Sequence, residues 1–195
     1  MEKRTIVMYK DLDSTLNKFI KLTAAELDAL HERVWVRKIE KNVILVDETN
    51  VADHIMFVRK GYLRTYFDKD GDEITRDISS VNSFFTALTS FITKKPSFEI
   101  VSTITDCEVL MISRDDLNYL YQHHSNWQMI GRRIVEEMFV RSQKRIYSLL
   151  TKSAEERYLK LMREKPDVLQ NVPLQYIASY LGITSQSLSR LRRKI

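Results

Sequence analysis

Cysteine is nearly absent from this chain: among 195 residues there is one, Cys107. A single thiol excludes an internal disulfide, a structural zinc cluster and a four-cysteine iron–sulfur centre. Its place in the apolar run CEVLMI makes it a core residue. Histidine is scarce as well, with His31, His54, His123 and His124 the full set. No run of about 18 apolar residues occurs, which excludes a membrane-spanning helix. The opening MEKRTIVMYKDLD lacks the apolar stretch of a secretory signal, so a cytoplasmic protein is expected. No Gly-x-Ser-x-Gly elbow is present, which removes one serine hydrolase class. At 44% hydrophobic, a chain of this length can bury one good core and a second small one, and two domains fit better than one.

What is present is concentrated at the C-terminal end. The segment VPLQYIASYLGITSQSLSRLRRKI, residues 172–195, has the pattern of a helix-turn-helix. The spacing predicts a first helix over Leu174–Leu181, with small Ala178 where a second helix must cross closely. Gly182 supplies the positive φ of a tight turn. Ile183 plugs the space between the helices, and Thr184 or Ser185 caps the next one. Over 185–194, Leu188 and Leu191 face inward. Thr184, Ser185, Gln186, Ser189, Arg190, Arg192, Arg193 and Lys194 are then the candidate DNA-binding residues, because such side chains read base edges and grip phosphates.

Charge is segregated in the same direction. Residues 141–195 hold twelve Lys or Arg against four Asp or Glu, a balance of +8, whereas residues 1–140 hold nineteen against twenty-two, a balance of −3. Such segregation suits a protein that displaces counterions from a polyanion. An anionic membrane is the weaker alternative, since a membrane-binding helix needs a broader apolar face than residues 184–195 offer. Double-stranded DNA is therefore the expected partner, and no membrane.

The rest of the chain has two further parts. Leu12, Leu16, Phe19 and Ile20 mark one short helix, and a Thr23–Glu26 capping box opens a second through Leu27, Leu30 and Val34. Seven short strand patterns follow between Val34 and Ile112: VWVRKI, VILVDE, HIMFVRK, YLRTYFD, EITRDI, EIVSTI and CEVLMI. The DKDG at 68–71 reads as a hairpin loop with Gly71 left-handed. Seven strands in so short a span imply a small antiparallel barrel or roll. Residues 115–150 contain no proline and one glycine, Gly131, and read as one long helix. Its stripe of Trp127, Ile130, Ile134 and Met138, widened by Val135, Phe139 and Ile146, exceeds what one neighbour needs. A homodimer through Trp127, Ile130, Ile134 and Met138 is expected, with Glu136, Glu137, Arg141, Lys144 and Arg145 at or beyond the seam; the alternative is that this stripe packs on the roll within one subunit. Ser153 with Glu156 caps a helix that ends before Pro166, and residues 167–173 have room for a short β-hairpin wing.

Roll, long helix and terminal helix-turn-helix, in this order, resemble the Crp/Fnr family of bacterial transcription factors, named for the cyclic-AMP receptor protein and the fumarate-nitrate regulator. The resemblance covers essentially the whole chain, and CEVLMISRDDLNYL is similar to the family's last roll strand and following helix. It implies an α+β fold: an N-terminal antiparallel β-roll sensor over 1–125, a dimerisation helix over 126–150 and a winged helix-turn-helix over 151–195. Alignment back from Cys107 exposes a departure. Members that bind cyclic nucleotides carry Gly-Glu for the ribose and Arg-Ser or Arg-Thr for the phosphate, where this chain has Thr86-Ala87 and Ser97-Phe98. Ala87 accepts no hydroxyl and Ser97 brings no charge, so a buried monoanion loses its partner. Lys94 and Lys95 are substitute cations only if they leave the loop before Pro96. Phe84, Phe85, Phe91 and Phe98 either fill the roll or line an apolar effector site with Thr86, Ala87 and Ser97, the filled roll being favoured.

The other chemistries fail on residue counts. An iron–sulfur sensor needs cysteines near the N-terminus, and haem needs a histidine facing a pocket. A metal-dependent β-roll enzyme needs two or three histidines at strand spacing, and His54 stands alone on a strand. The expectation is no enzyme, no metal and no cofactor. The expected function is a dimeric transcriptional regulator reading a palindromic operator, with RNA polymerase a further candidate partner. The alternative is a regulatory module that acts on a partner protein through the long helix.

Overall fold

The computed structural model describes residues 2–194. Two helices, α1 (Glu2–Leu16) and α2 (Ala24–His31), precede eight strands: β1 (Trp35–Ile39), β2 (Ile44–Val46), β3 (His54–Lys60), β4 (Leu63–Lys69), β5 (Asp72–Ser79), β6 (Phe84–Phe85), β7 (Ile100–Thr103) and β8 (Cys107–Ser113). All seven expected strands form. The eighth, β6, is two residues long and is followed by a short helix, α3 (Leu88–Thr93). The strands make two four-stranded antiparallel sheets, in the orders β1-β8-β3-β6 and β2-β7-β4-β5. The first core gathers the roll, α1, α2 and the base of the later helices, with Val58, Val101 and Val109 fully enclosed. Cys107 is buried there, and desolvation pushes its thiol above the ordinary range.

Local signals behave as the residue chemistry dictates. The Thr23 hydroxyl accepts from the Glu26 amide while the Glu26 carboxylate accepts from the Thr23 amide at 2.9 Å, closing the capping box of α2. At the β4–β5 hairpin, Asp70 and Gly71 both have positive φ, the requirement of a two-residue type I′ turn. Strict alternation fails in several strands, among them both strands of the β4–β5 hairpin. Leu63, Arg64, Thr65 and Tyr66 on β4, and Thr75, Asp77, Ile78 and Ser79 on β5, are all buried. Both faces of this hairpin are covered, one by the roll and the other by the C-terminal helices.

The helical half departs from expectation in two ways. Residues 114–151 are not one helix but two, α4 (Arg114–His123) and α5 (Ser125–Thr151), broken at His124 in extended backbone (φ −142°, ψ 112°). The break redirects the chain so that Trp127 and Ile130 enter the same core as Leu117 and Leu120. Packing overrides an uninterrupted helical pattern here. Further on, α6 (Ala154–Glu164) carries the expected Ser153–Glu156 capping box, but no wing forms over 167–173. Pro166 takes the first position of a helix, α7 (Pro166–Asn171), where its fixed φ is favourable. Val168 is fully buried in the second core, which an exposed hairpin could not supply. Among the described residues no strand follows β8.

Candidate nucleic-acid interface and effector cavity

The helix-turn-helix forms at the expected residues. Its first helix is α8 (Leu174–Leu181) and its second α9 (Ser185–Arg192). Gly182 has φ +68°, and the Ile183 and Gly182 amides donate to the Ala178 and Ser179 carbonyls, each at 3.0 Å, which caps α8 as a Schellman turn. A side chain at 182 would be strained by that φ and would press on Leu149 of α5. Thr184, not Ser185, caps α9, its hydroxyl accepting from the Ser187 amide at 3.2 Å. Ala178 and Leu188 are buried where the two helices cross, and Ile183 and Leu191 pack at the edge of that core. These apolar contacts fix which face α9 turns outward. Gln186, Arg190, Arg192 and Thr184 are exposed, and Ser185 and Ser189 half-buried. Arg193 and Lys194 are exposed as well but lie just beyond the end of α9. The candidate DNA-binding residues thus sit together on one basic surface.

Several residues with no motif of their own tie this unit to the roll. The Ser179 hydroxyl accepts from the Thr75 amide at 2.8 Å and donates to the Glu73 carbonyl at 3.0 Å. Arg64, buried on β4, lies between the rings of Tyr66 and Tyr176, 3.9 Å from each centroid, and pairs with Glu73 at 2.6 Å. Tyr62 donates to Asp167 at 3.1 Å, and Lys165 reaches the Ile78 carbonyl. Arg157 donates to the Leu181 carbonyl at 2.9 Å, placing a cation at the C-terminal end of α8. Two charges expected at a dimer seam serve here instead. Arg141 pairs with Asp77 at 2.9 Å, and Arg145 donates to the Tyr180 carbonyl while stacking on its ring.

The expected dimer residues need correction. Trp127 and Ile130 are 3% and 1% exposed within one chain, Ile134 packs on the same core and Met138 is half-buried, so this face of α5 is used inside the subunit. It packs on α4 and enters the core shared with the roll and α1. Left open are Val135, Phe139, Ile146 and Leu149, which with Ser142 step by four and three residues along one stripe. That is the spacing of a coiled-coil seam.

The effector residues divide. Phe84, Phe85, Thr86 and Phe91 line an apolar cavity of about 410 Å³ between the first sheet, α3 and the helices α1, α4 and α5. Phe84 and Phe91 thus wall a space outside the interior of the roll, between its first sheet and the helices. Ala87, Ser97 and Phe98 lie elsewhere. Ala87 is buried and precedes α3. The Ser97 hydroxyl donates to the Glu99 carbonyl at 2.7 Å and accepts from the Glu99 amide at 3.0 Å, so it is fully engaged. Phe98 is exposed and stacks on Phe67. Lys94 and Lys95 are exposed in the loop before Pro96. Arg76 pairs with buried Glu99 at 2.6 Å.

Among the described residues no helix is long and apolar enough to cross a membrane, and no cluster of three or more metal-ligating side chains occurs. Comparison with known proteins agrees with this architecture. A family model described as the cyclic nucleotide-binding domain matches residues 36–124. The HTH-type transcriptional regulator ArcR of Staphylococcus epidermidis is 23% identical over 188 residues, covering 90% of this chain and 82% of that protein. FixK2 of Bradyrhizobium japonicum superposes with a TM-score of 0.72 at 16% identity, covering 83% of each chain. A Crp/Fnr-family regulator of Eubacterium rectale gives 0.68 at 18% identity, covering 89% of this chain and 83% of the other. The cyclic nucleotide-binding domain model accounts for residues 36–124, just under half of the chain, and the likeness to these solved regulators is one of fold.

Proposed function

We propose that this protein is a DNA-binding transcriptional regulator, working in the cytoplasm as a homodimer and reading a palindromic operator with α9. The observation that carries this reading is the basic, exposed face of α9, held out by the buried Ile177, Ala178, Leu181 and Leu188. Residues 1–125 act as the sensor, 126–150 as the dimerisation helix and 151–195 as the reader. Gln186 and Arg190 contact base edges; Arg192, Arg193 and Lys194 hold phosphates, with Thr184, Ser185 and Ser189 at the groove. The seam runs through Val135, Phe139, Ser142, Ile146 and Leu149.

Cyclic AMP and cyclic GMP are not the effectors in this reading. Ala87 offers nothing to a ribose hydroxyl, and the engaged Ser97 offers no cation to a phosphate. RNA polymerase is the downstream partner if the regulator activates. The test is binding of the full chain to mixed-sequence DNA across a salt series. Affinity should fall steeply as salt rises, in proportion to the phosphates neutralised. Absence of binding at low salt would sink the regulator reading and favour a module acting on a protein partner through α5.

A further inference from the structure

The strand orders leave β5 at the edge of its sheet, with one row of amides and carbonyls that no strand pairs. Two of those groups are taken by a single side chain of the reader. The Ser179 hydroxyl on α8 accepts from the amide of buried Thr75 at 2.8 Å and donates to the Glu73 carbonyl at 3.0 Å, which uses its proton and one lone pair. Beside this contact lies Arg64 of β4, 4% exposed, stacked between Tyr66 of the hairpin and Tyr176 of α8 and paired with Glu73. A planar, weakly hydrated guanidinium suits such a site and gives the contact a direction that an ammonium lacks. Ile78 and Ile104 of the roll complete it, packing in the second core with Ile177 and Leu181.

The reader is therefore held twice. Its chain link to α5 is short, Lys152 and Ser153 between Thr151 and Ala154, and near that link Arg145 and Leu149 lie against Tyr180 and Gly182. A single attachment leaves rotation about it. The second attachment, on the β4–β5 hairpin, removes that rotation. An operator made of two half-sites is sensitive to this freedom. Separating them by one further base pair moves them about 3.4 Å and turns them about 35° around the duplex, at about 10 base pairs per turn of about 34 Å. Two rigidly held α9 helices follow only by giving up contacts on one side.

We propose that Arg64, with Ser179 and Tyr176, fixes the direction in which α9 leaves its own roll and thereby sets the half-site spacing that the dimer accepts. Arg64 is a positioning residue in the sensor half and acts on DNA through α8, not by contact. The inference deepens the proposed function and rests on its dimer and its palindromic site.

The experiment starts from the duplex that the wild type selects out of random sequence. That duplex is remade with its half-sites one and two base pairs closer and farther apart, and with one half-site alone. The wild type should bind the altered spacings about tenfold or more weakly than the selected one, as expected when two tethered readers cannot engage together. Arg64→Met/Ser179→Ala and, separately, Tyr176→Leu should narrow that ratio to about threefold or less while binding of the single half-site stays within about twofold. Tyr176→Phe keeps the ring over Arg64 and should discriminate as the wild type does. The single half-site separates lost positioning from lost folding, because an unfolded reader fails there as well. The inference is overturned if the wild type accepts all spacings alike, if the disrupted variants discriminate as sharply as the wild type, or if Tyr176→Phe relaxes as far as Tyr176→Leu. Loss of single half-site binding in both disrupted variants assigns these residues to the stability of the reader and overturns it too. A wild type that selects no duplex sinks the regulator reading and this inference with it, whereas unaltered discrimination in the variants sinks this inference alone.

Discussion

Replacing Phe139 by Asp should convert a dimer into a monomer, and the size of the effect follows from exposure. Phe139 is 61% exposed on the single chain and Ile146 47%. Fully burying such side chains contributes about 1.5–3 kcal/mol each, so covering the open part of Phe139 contributes about 1.5 kcal/mol per subunit and about 3 kcal/mol across the two-fold axis. Losing it alone raises the dimer Kd by about two decades, since each tenfold corresponds to about 1.4 kcal/mol. Two carboxylates facing each other across the seam add to the cost. Sedimentation equilibrium at micromolar protein should show single-chain mass for Phe139→Asp and a dimer for the wild type. Trp127→Phe, altered on the face buried inside the subunit, should remain dimeric. A monomeric wild type, or a Phe139→Asp protein with unchanged Kd, would refute the seam.

Three further outcomes are expected. Calorimetry should find no micromolar binding of cyclic AMP or cyclic GMP, because two lost partners cost about 1.5–3 kcal/mol each and push a micromolar site toward millimolar; a micromolar Kd would show that the roll holds the nucleotide in another way. Leu188→Ala should destabilise the C-terminal unit by about 2–5 kcal/mol, because Leu188 is fully enclosed in a small core. Thermal melts should then resolve an early transition that spares the roll, and a single unshifted transition would contradict the two-core description. Ser179→Ala should remove the bond that holds the Thr75 amide, at about 1 kcal/mol. Hydrogen exchange at Thr75 should speed up roughly fivefold, and unchanged exchange would mean that α8 is not docked there.

Much of this fold was legible because its determinants are local. Alternation marked seven strands, Thr23 and Ser153 announced their capping boxes, and Ala178, Gly182 and Ile183 set out the two helices of the C-terminal motif, the second ending two residues earlier than expected. What was hidden depends on partners distant in sequence. Ser125 and Asn126 beside His124 are only a weak start signal for a new helix; the break also lets Trp127 and Leu117 reach one core. The apolar stripe of α5 is legible, but that Trp127 and Ile130 enter the core of their own chain depends on α1, α4 and the sheet, which lie far off in sequence or beyond a helix break. Residues 167–173 have a composition that suits a turn, yet Pro166 starts a helix because Val168 finds a core. Thr75 and Asp77 read as the solvent face of a hairpin until α8 is laid over them. The cavity was half visible: Phe84, Phe85 and Phe91 pointed to an aromatic site, whereas Trp127 was assigned to a dimer seam.

The most direct test of the central claim is an unbiased selection of bound duplexes, run in parallel with the wild type and with Arg190→Ala. The account predicts a two-fold symmetric site with half-site centres about 10 base pairs apart, one α9 in each major groove. In Arg190→Ala one position per half-site should lose its preference, at a cost of roughly 1–3 kcal/mol at the wild-type site. No enrichment with the wild type, or a selected site unchanged by Arg190→Ala, would contradict it.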